Sequence, residues 1–150
     1  MATTMTSSDV VTILNALLRA EHGGIFRFIA SSDPYITREA AAIRRPLQNI
    51  TAAALRHEAE LIDLIEALDG IPQAPAVTPE HQYLSFLSLE FLRPKLVEAA
   101  QRAIANYESA LASISASSPD VANRLKNHLI DYRQFLDAIV PPASSAAPHS

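Results

Sequence analysis

The sequence contains no cysteine. Disulfides, thiolate metal sites and cysteine nucleophiles are therefore excluded, and the absence fits a reducing compartment. Glycine is scarce, at three residues, and aromatics make up only 6%. A chain so poor in glycine and aromatics, and rich in Ala and Leu, suits closely packed helices better than sheet. Basic charge is not in excess: 12 Lys and Arg face 16 Asp and Glu, for a net charge of −4. A nucleic-acid footprint needs clustered Lys and Arg on one face. The one basic doublet, Arg44-Arg45, reads instead as a solvated helix end, so no nucleic-acid partner is expected. No uncharged apolar run approaches the ~20 residues that span a bilayer, so no membrane partner is expected. Met1 to Ser8 lacks the basic and apolar regions of a secretion signal. A soluble cytoplasmic protein is the expectation. No glycine-rich phosphate loop and no Gly-x-Ser-x-Gly elbow is found.

What remains is enough for one helical domain. The chain has 150 residues, 49% of them hydrophobic, which suffices for a single core. The reading divides it into a flexible N-terminus (1–8), a helical domain (9–139) and a small-residue polar tail (140–150). Four helices emerge from the periodicity. The first runs from about Asp9 to Ala30, with Leu14, Leu17, Leu18, Ile25 and Phe28 on its apolar stripe. Gly23-Gly24 inside it costs about 1–2 kcal/mol of propensity and suggests close approach of another backbone. The second runs from about Pro34 to Leu68, restarted or kinked at Pro46, with Leu47, Ile50, Ala54, Leu61, Leu64 and Leu68 on its stripe. Asp69-Gly70 ends it.

An extended linker with two prolines, Ile71 to Val77, follows. The third helix runs from about Pro79 to Ser113, bent at Pro94, with Leu89, Leu92, Leu96, Ala99, Ala103 and Tyr107 in line. The fourth runs from about Pro119 to Ile139, with Val121, Leu125, Tyr132, Phe135 and Ile139 on one face. Asp33-Pro34, Thr78-Pro79 and Ser118-Pro119 share one start signal, a capping side chain followed by proline. A 71-residue shift lays His57 on His128, Leu61 on Tyr132, Leu64 on Phe135 and Leu68 on Ile139, which suggests a duplicated helix pair.

Three ionisable residues fall on apolar stripes: Glu21, His57 and His128. A buried carboxylate needs a partner, because an isolated buried charge is very costly. His22 follows Glu21 directly, and neighbours on a helix point about 100° apart, so both cannot face one centre. His81 and His149 read as solvated, and Glu58 and Glu60 as outer-surface residues.

Two stretches carry a resemblance. Ile13-Leu14-Asn15-Ala16-Leu17-Leu18-Arg19-Ala20-Glu21 and His57-Glu58-Ala59-Glu60-Leu61, continuing to Leu68-Asp69-Gly70-Ile71-Pro72, resemble the first two helices of ferritin-like proteins of the bacterioferritin type. The resemblance implies an all-α, ferritin-like four-helix bundle with one long crossover between helices 2 and 3. It implies a carboxylate-bridged dimetal centre, in which two helices each give a Glu and two each give Glu-x-x-His.

Scored against that pattern, Glu21, His57 and His128 remain. The acids are replaced by Ala54 and Leu125 and, counting from Phe91-Leu92-Arg93-Pro94-Lys95-Leu96, by Ala99. Leu55 stands where a haem-ligating Met is expected, so haem is not supported. A di-iron pair is not expected without bridging carboxylates, and ferroxidase activity is in doubt. No catalytic residue can be named.

Three readings of the remnant stand side by side. The first is a structural polar cluster in a non-catalytic binding or structural module, with Glu21 bonded to His57 and His128 satisfied by Tyr132 or water. The second is a single divalent metal, Fe or Zn, on Glu21, His57 and His128, in an iron-storing or oxidising protein with an unconventional site. The third is a different register, in which Glu98, Glu108 or Asp131 completes a site, although Glu98 reads as solvent-facing beside Lys95 and Arg102. Ferritin-like bundles commonly pair along their sides. A homo-oligomer, dimer or larger, is therefore expected, with Phe26, Phe86, Leu87 and Phe91 as a candidate outer strip.

Overall fold

The structure is a computed structural model and describes residues 5–30, 41–73, 89–114 and 117–140. Every regular element among them is helical: α1 (Ser7–His22), α2 (Ile25–Ala30), a 3-10 turn (Ala41–Ile43) running into α3 (Arg44–Ala67), α4 (Leu89–Ile114) and α5 (Pro119–Ile139). No described helix is long and apolar enough to cross a membrane.

Local chemistry explains most of the boundaries. Thr6 accepts from the Asp9 amide while Asp9 accepts from the Thr6 amide, a reciprocal cap that satisfies two orphan donors. It starts α1 two residues before the expected Asp9. The expected single first helix is two helices, because Gly23-Gly24 breaks it. The glycines do not admit another backbone. A Cβ at Gly24 would stand 2.9 Å from the Ala20 carbonyl of its own helix.

The break shifts the helical phase. Phe26 and Ile29 are buried, and Phe28 is only half-buried. Phe26 is therefore core and not an outer strip: its ring lies 5.7 Å from Tyr132 and 5.1 Å from Phe135. Phe86, Leu87 and Phe91 lie outside the residues whose side chains are described, as do Leu89 and Leu92.

Pro46 falls in the first turn of α3, where its missing N–H costs no helical bond. Asp69, at φ 60°, supplies the left-handed residue that ends this helix. Gly70 answers a different need: a Cβ there would lie 2.7 Å from a Val11 methyl. Pro119 opens α5 at its first turn, but the Ser118 side chain makes no capping bond, contrary to expectation. The Asp33-Pro34 and Thr78-Pro79 signals, linker residues 74–77 and the tail 141–150 lie outside the described residues.

The four longer helices pack in a closed circuit, α1 on α3, α3 on α5, α5 on α4 and α4 on α1, with α2 against α3 and α4. Cross-contacts fix the directions. Gly70 meets Val11, Asn15 bonds Ile71 and Gln73, and Glu21 reaches His57, so α1 and α3 run antiparallel. Arg56 pairs with Asp131, and Glu60 with Arg124, so α3 and α5 are antiparallel too. The Met5 amide donates to Ser117 Oγ, which brings the start of α1 to the α4–α5 turn.

The core runs the length of this packing through Leu14, Leu18, Ile50, Leu61, Leu96 and Leu125. Each contributes about 1.5–3 kcal/mol by leaving water. All five expected apolar positions of α5 are buried. In α3, Ile65 is buried and the expected Leu64 and Leu68 are half-buried.

Candidate metal centre

One layer of this core is polar. Glu21 on α1, His57 on α3 and His128 on α5 are 6%, 0% and 1% exposed. They are the three residues that the apolar stripes singled out, and each can offer a ligand atom within 4.8 Å of the other two. The imidazoles of His57 and His128 stack with centroids 4.0 Å apart and planes 22° apart. Tyr107 on α4 and Tyr132 on α5 complete the layer.

Glu21 is the hub. It accepts from His57 Nδ1–H (2.8 Å to Oε2), from the Tyr107 hydroxyl (2.6 Å to Oε2) and from the Tyr132 hydroxyl at Oε1. The Tyr107 oxygen also stands 3.1 Å from His128 Nδ1. Its single proton therefore faces two acceptors, the Glu21 carboxylate and the His128 ring. The outer nitrogens of the two rings meet carboxylates: His57 Nε2 lies 2.8 Å from Asp131, and His128 Nε2 lies 2.7 Å from Glu60. Arg56 pairs with Asp131 from outside, and Arg124 with Glu60 at 3.4 Å. Among the described residues, no buried side-chain nitrogen or oxygen lacks a hydrogen-bond partner.

Several expectations change here. Glu60 is not an outer-surface residue, because it reaches inward to His128. His128 is satisfied by Glu60 and Tyr107 rather than by Tyr132, which serves Glu21. Of the three acids that a different register could have supplied, Asp131 is at the centre. Glu98 pairs with Arg102 and Glu108 with Arg133, both in solvent. Glu58, expected on the outer surface, is also partly buried: it holds His22 at 2.7 Å and Arg27 at 3.1 Å, so His22 faces away from the centre.

A signal for the missed acids was present. The 71-residue echo that pairs His57 with His128 also pairs Glu60 with Asp131. Each acid sits three residues after its own histidine and bonds the other one.

The two rings differ in proton affinity. Burial pulls His57 down, but the hydrogen bonds and charges of Glu21 and Asp131 outweigh it, and its pKa is raised. Burial and the charge of His57 lower His128 to about 4, against the opposing pull of Glu60. Burial pushes the Glu60 carboxyl up, and the His128 hydrogen bond, with Arg124 and Arg56, brings it down overall. A neutral His128 still donates from Nε2, so we hold this hydrogen bond responsible rather than an ion pair. Burial and the nearby Glu21 charge raise both phenols well above the ordinary range.

Two imidazoles and a carboxylate are a donor set that suits Fe(II) or Zn(II), and their spacing is near the ~3–4 Å between ligand atoms on one ion of that size. The positions of the missing acids do different things. Ala54 and Leu125 are buried apolar packing. Ala99 lines a cavity of about 270 Å³ between α1 and α4, with Ala20, Gly23 and Ala103 on its walls and Glu21, Tyr107 and Tyr132 also lining it. The small residue at 99 thus leaves space beside the hub. Compared with known proteins, the chain matches no family model, no curated protein and no solved structure.

Proposed function

We propose that this chain is a ferritin-like helical module that binds rather than oxidises, and that its centre has contracted to Glu21, His57 and His128 and takes one divalent cation, Fe(II) or Zn(II). One observation carries the reading: three metal-ligating side chains from three helices converge within 4.8 Å in a mostly apolar core.

The bundle topology has support from helix directions. The contacts set α3 antiparallel to α5, and the short connection to α5 sets α4 antiparallel to it as well. Parallel α3 and α4 are what a ferritin-like bundle with one long crossover would show. The non-oxidase reading rests on Ala54, Ala99 and Leu125. Without their carboxylates the positions that bridge two cations in the family pattern carry no charge to offset the second ion.

A metal-free role for the same residues has its own support. Every buried polar atom described is already hydrogen-bonded, as a structural polar network requires. Elemental analysis separates the two readings. Purified protein is incubated with ferrous iron without oxygen and, separately, with zinc, beside a His57→Ala/His128→Ala variant. One metal per chain, absent from the variant, is expected. No metal in either protein would overturn the binding reading and leave a structural core. Two metals per chain would overturn the contraction to one site.

A further inference from the structure

We propose that Tyr107 and Tyr132 are metal ligands, and that with Glu21, His57 and His128 they form a five-donor N2O3 site selective for ferric iron. The inference rests on the metal-binding reading above and extends it to the metal's oxidation state and to two residues that the family resemblance does not assign.

Geometry comes first. The donor atoms of the layer already touch: Tyr107 Oη is 2.6 Å from Glu21 Oε2 and 3.1 Å from His128 Nδ1, and His57 Nδ1 is 2.8 Å from the same Glu21 oxygen. An octahedral ion with ligands at about 2.0–2.1 Å has edges of about 2.9 Å. The three hydrogen-bonded contacts are of the length such edges take, so these donors could close on one ion with small shifts. Tyr132 approaches the other oxygen of Glu21, so the two phenols flank the carboxylate from α4 and α5. Both rings are packed, at 1% and 2% exposure, and their orientation is fixed before any ion arrives. The cavity against Glu21, Tyr107 and Tyr132 is the approach.

Charge decides between ions. A divalent ion held by Glu21 and two neutral imidazoles carries one net positive charge in the buried layer. Asp131 and Glu60 stand only at its rim and are already paired with Arg56 and Arg124, and buried net charge is costly. A ferric ion with the Glu21 carboxylate and two phenolates sums to zero. Binding then displaces three protons, one from each phenol and one from His57. The iron enters and leaves as Fe(III), no electron moves, and the only bonds broken are those to the departing protons and to the carrier chelator. Hard oxygen donors also favour the harder, more highly charged ion.

The test adds ferric nitrilotriacetate to the full chain. Expected are one iron per chain, a visible phenolate-to-iron charge-transfer band, and enhanced phenolate vibrations in the resonance Raman spectrum. The chain has four tyrosines, so the assignment needs variants. Tyr107→Phe and Tyr132→Phe should each weaken ferric binding by about tenfold or more, as losing a partner of a metal site does, and should shift the band. The double variant should abolish the band. Zinc binding, which needs only Glu21 and the histidines, should survive in all three.

Iron bound without phenolate signals, or with a band unchanged in the double variant, overturns the phenolate assignment while zinc binding upholds the simpler site. Failure of the wild type to take either metal overturns both readings. The wild-type Raman spectrum needs no variant, so a variant that unfolds leaves the proposal open to refutation.

Discussion

The two stacked imidazoles are equally buried and carry equivalent outer partners, yet they hold protons differently. His57 has Asp131 on Nε2, and His128 has Glu60 on Nε2. On the inner side the symmetry fails: Nδ1 of His57 meets the Glu21 carboxylate, and Nδ1 of His128 meets the Tyr107 phenol. One pKa is raised and the other falls to about 4. Burial is common to both, so it cannot be the difference. The inner oxygen decides, with the charge of His57 itself pressing on its neighbour. The raised ring thus has a carboxylate on its inner side, and the lowered ring has a phenol there and a charged neighbour.

Removing the inner carboxylate breaks the comparison and has the largest expected effect. Glu21→Ala orphans two buried donors at once, the Tyr132 phenol and His57 Nδ1–H, and leaves the Tyr107 phenol with His128 alone. Breaking a buried charged network by one member costs about 3–5 kcal/mol. Urea unfolding of metal-free protein measures it, and a loss below about 1 kcal/mol would remove Glu21 from the hub.

The pH dependence comes next, again without metal. His128 titrates near 4 when folded and near 6.5 when unfolded. Between those values the unfolded chain binds more protons, so stability falls as the pH drops, by about 3 kcal/mol in all. Below the ordinary carboxyl range Glu60 adds loss of the same sign, because its folded pKa is lowered. His57 has the opposite sign. Its raised pKa gives stability that is complete below about 6.5 and is lost as the pH rises through its folded value. These rings together place the stability maximum near that pH. A curve still climbing well above it would contradict the charged His57.

The outer acids give the smallest effect and the sharpest comparison. Asp131 serves a charged ring and Glu60 a neutral one. Both acceptors are carboxylates, but only the His57–Asp131 bond pairs two charges. It falls in the range of about 1.5–3 kcal/mol for bonds to charged groups, and the bond with a neutral donor lies at or below the foot of that range. Asp131→Asn should therefore cost about 2 kcal/mol and Glu60→Gln about 1. Equal costs in parallel unfolding experiments would mean that the two rings share one protonation state.

Periodicity made the site legible because α5 and most of α3 are ordinary amphipathic helices. A polar residue in an apolar stripe, such as Glu21, His57 or His128, has nowhere to go but the core. The α5 boundaries followed from Pro119 and from Pro141-Pro142. The partners were harder to read. Glu60 and Asp131 lie one turn from their histidines at the edge of the buried face, where a long side chain can turn inward or outward. Only the facing helix decides which. Tyr107 and Tyr132 sat on the stripes as apolar bulk, and their hydroxyls declared no partner until Glu21 was placed between them. Phe26 was misjudged for a different reason: a helix broken at two glycines restarts in a new phase.

The hub carries a consequence for the way the chain is made. Glu21 bonds Tyr107 and Tyr132, which lie 86 and 111 residues further along. During synthesis the carboxylate emerges well before the two phenols that complete its shell. Until Tyr132 arrives, Glu21 can hold His57 but lacks its full set of donors. The polar layer is therefore complete only once α5 is in place. It ties α1 to α5, so that one contact joins residues made far apart in time.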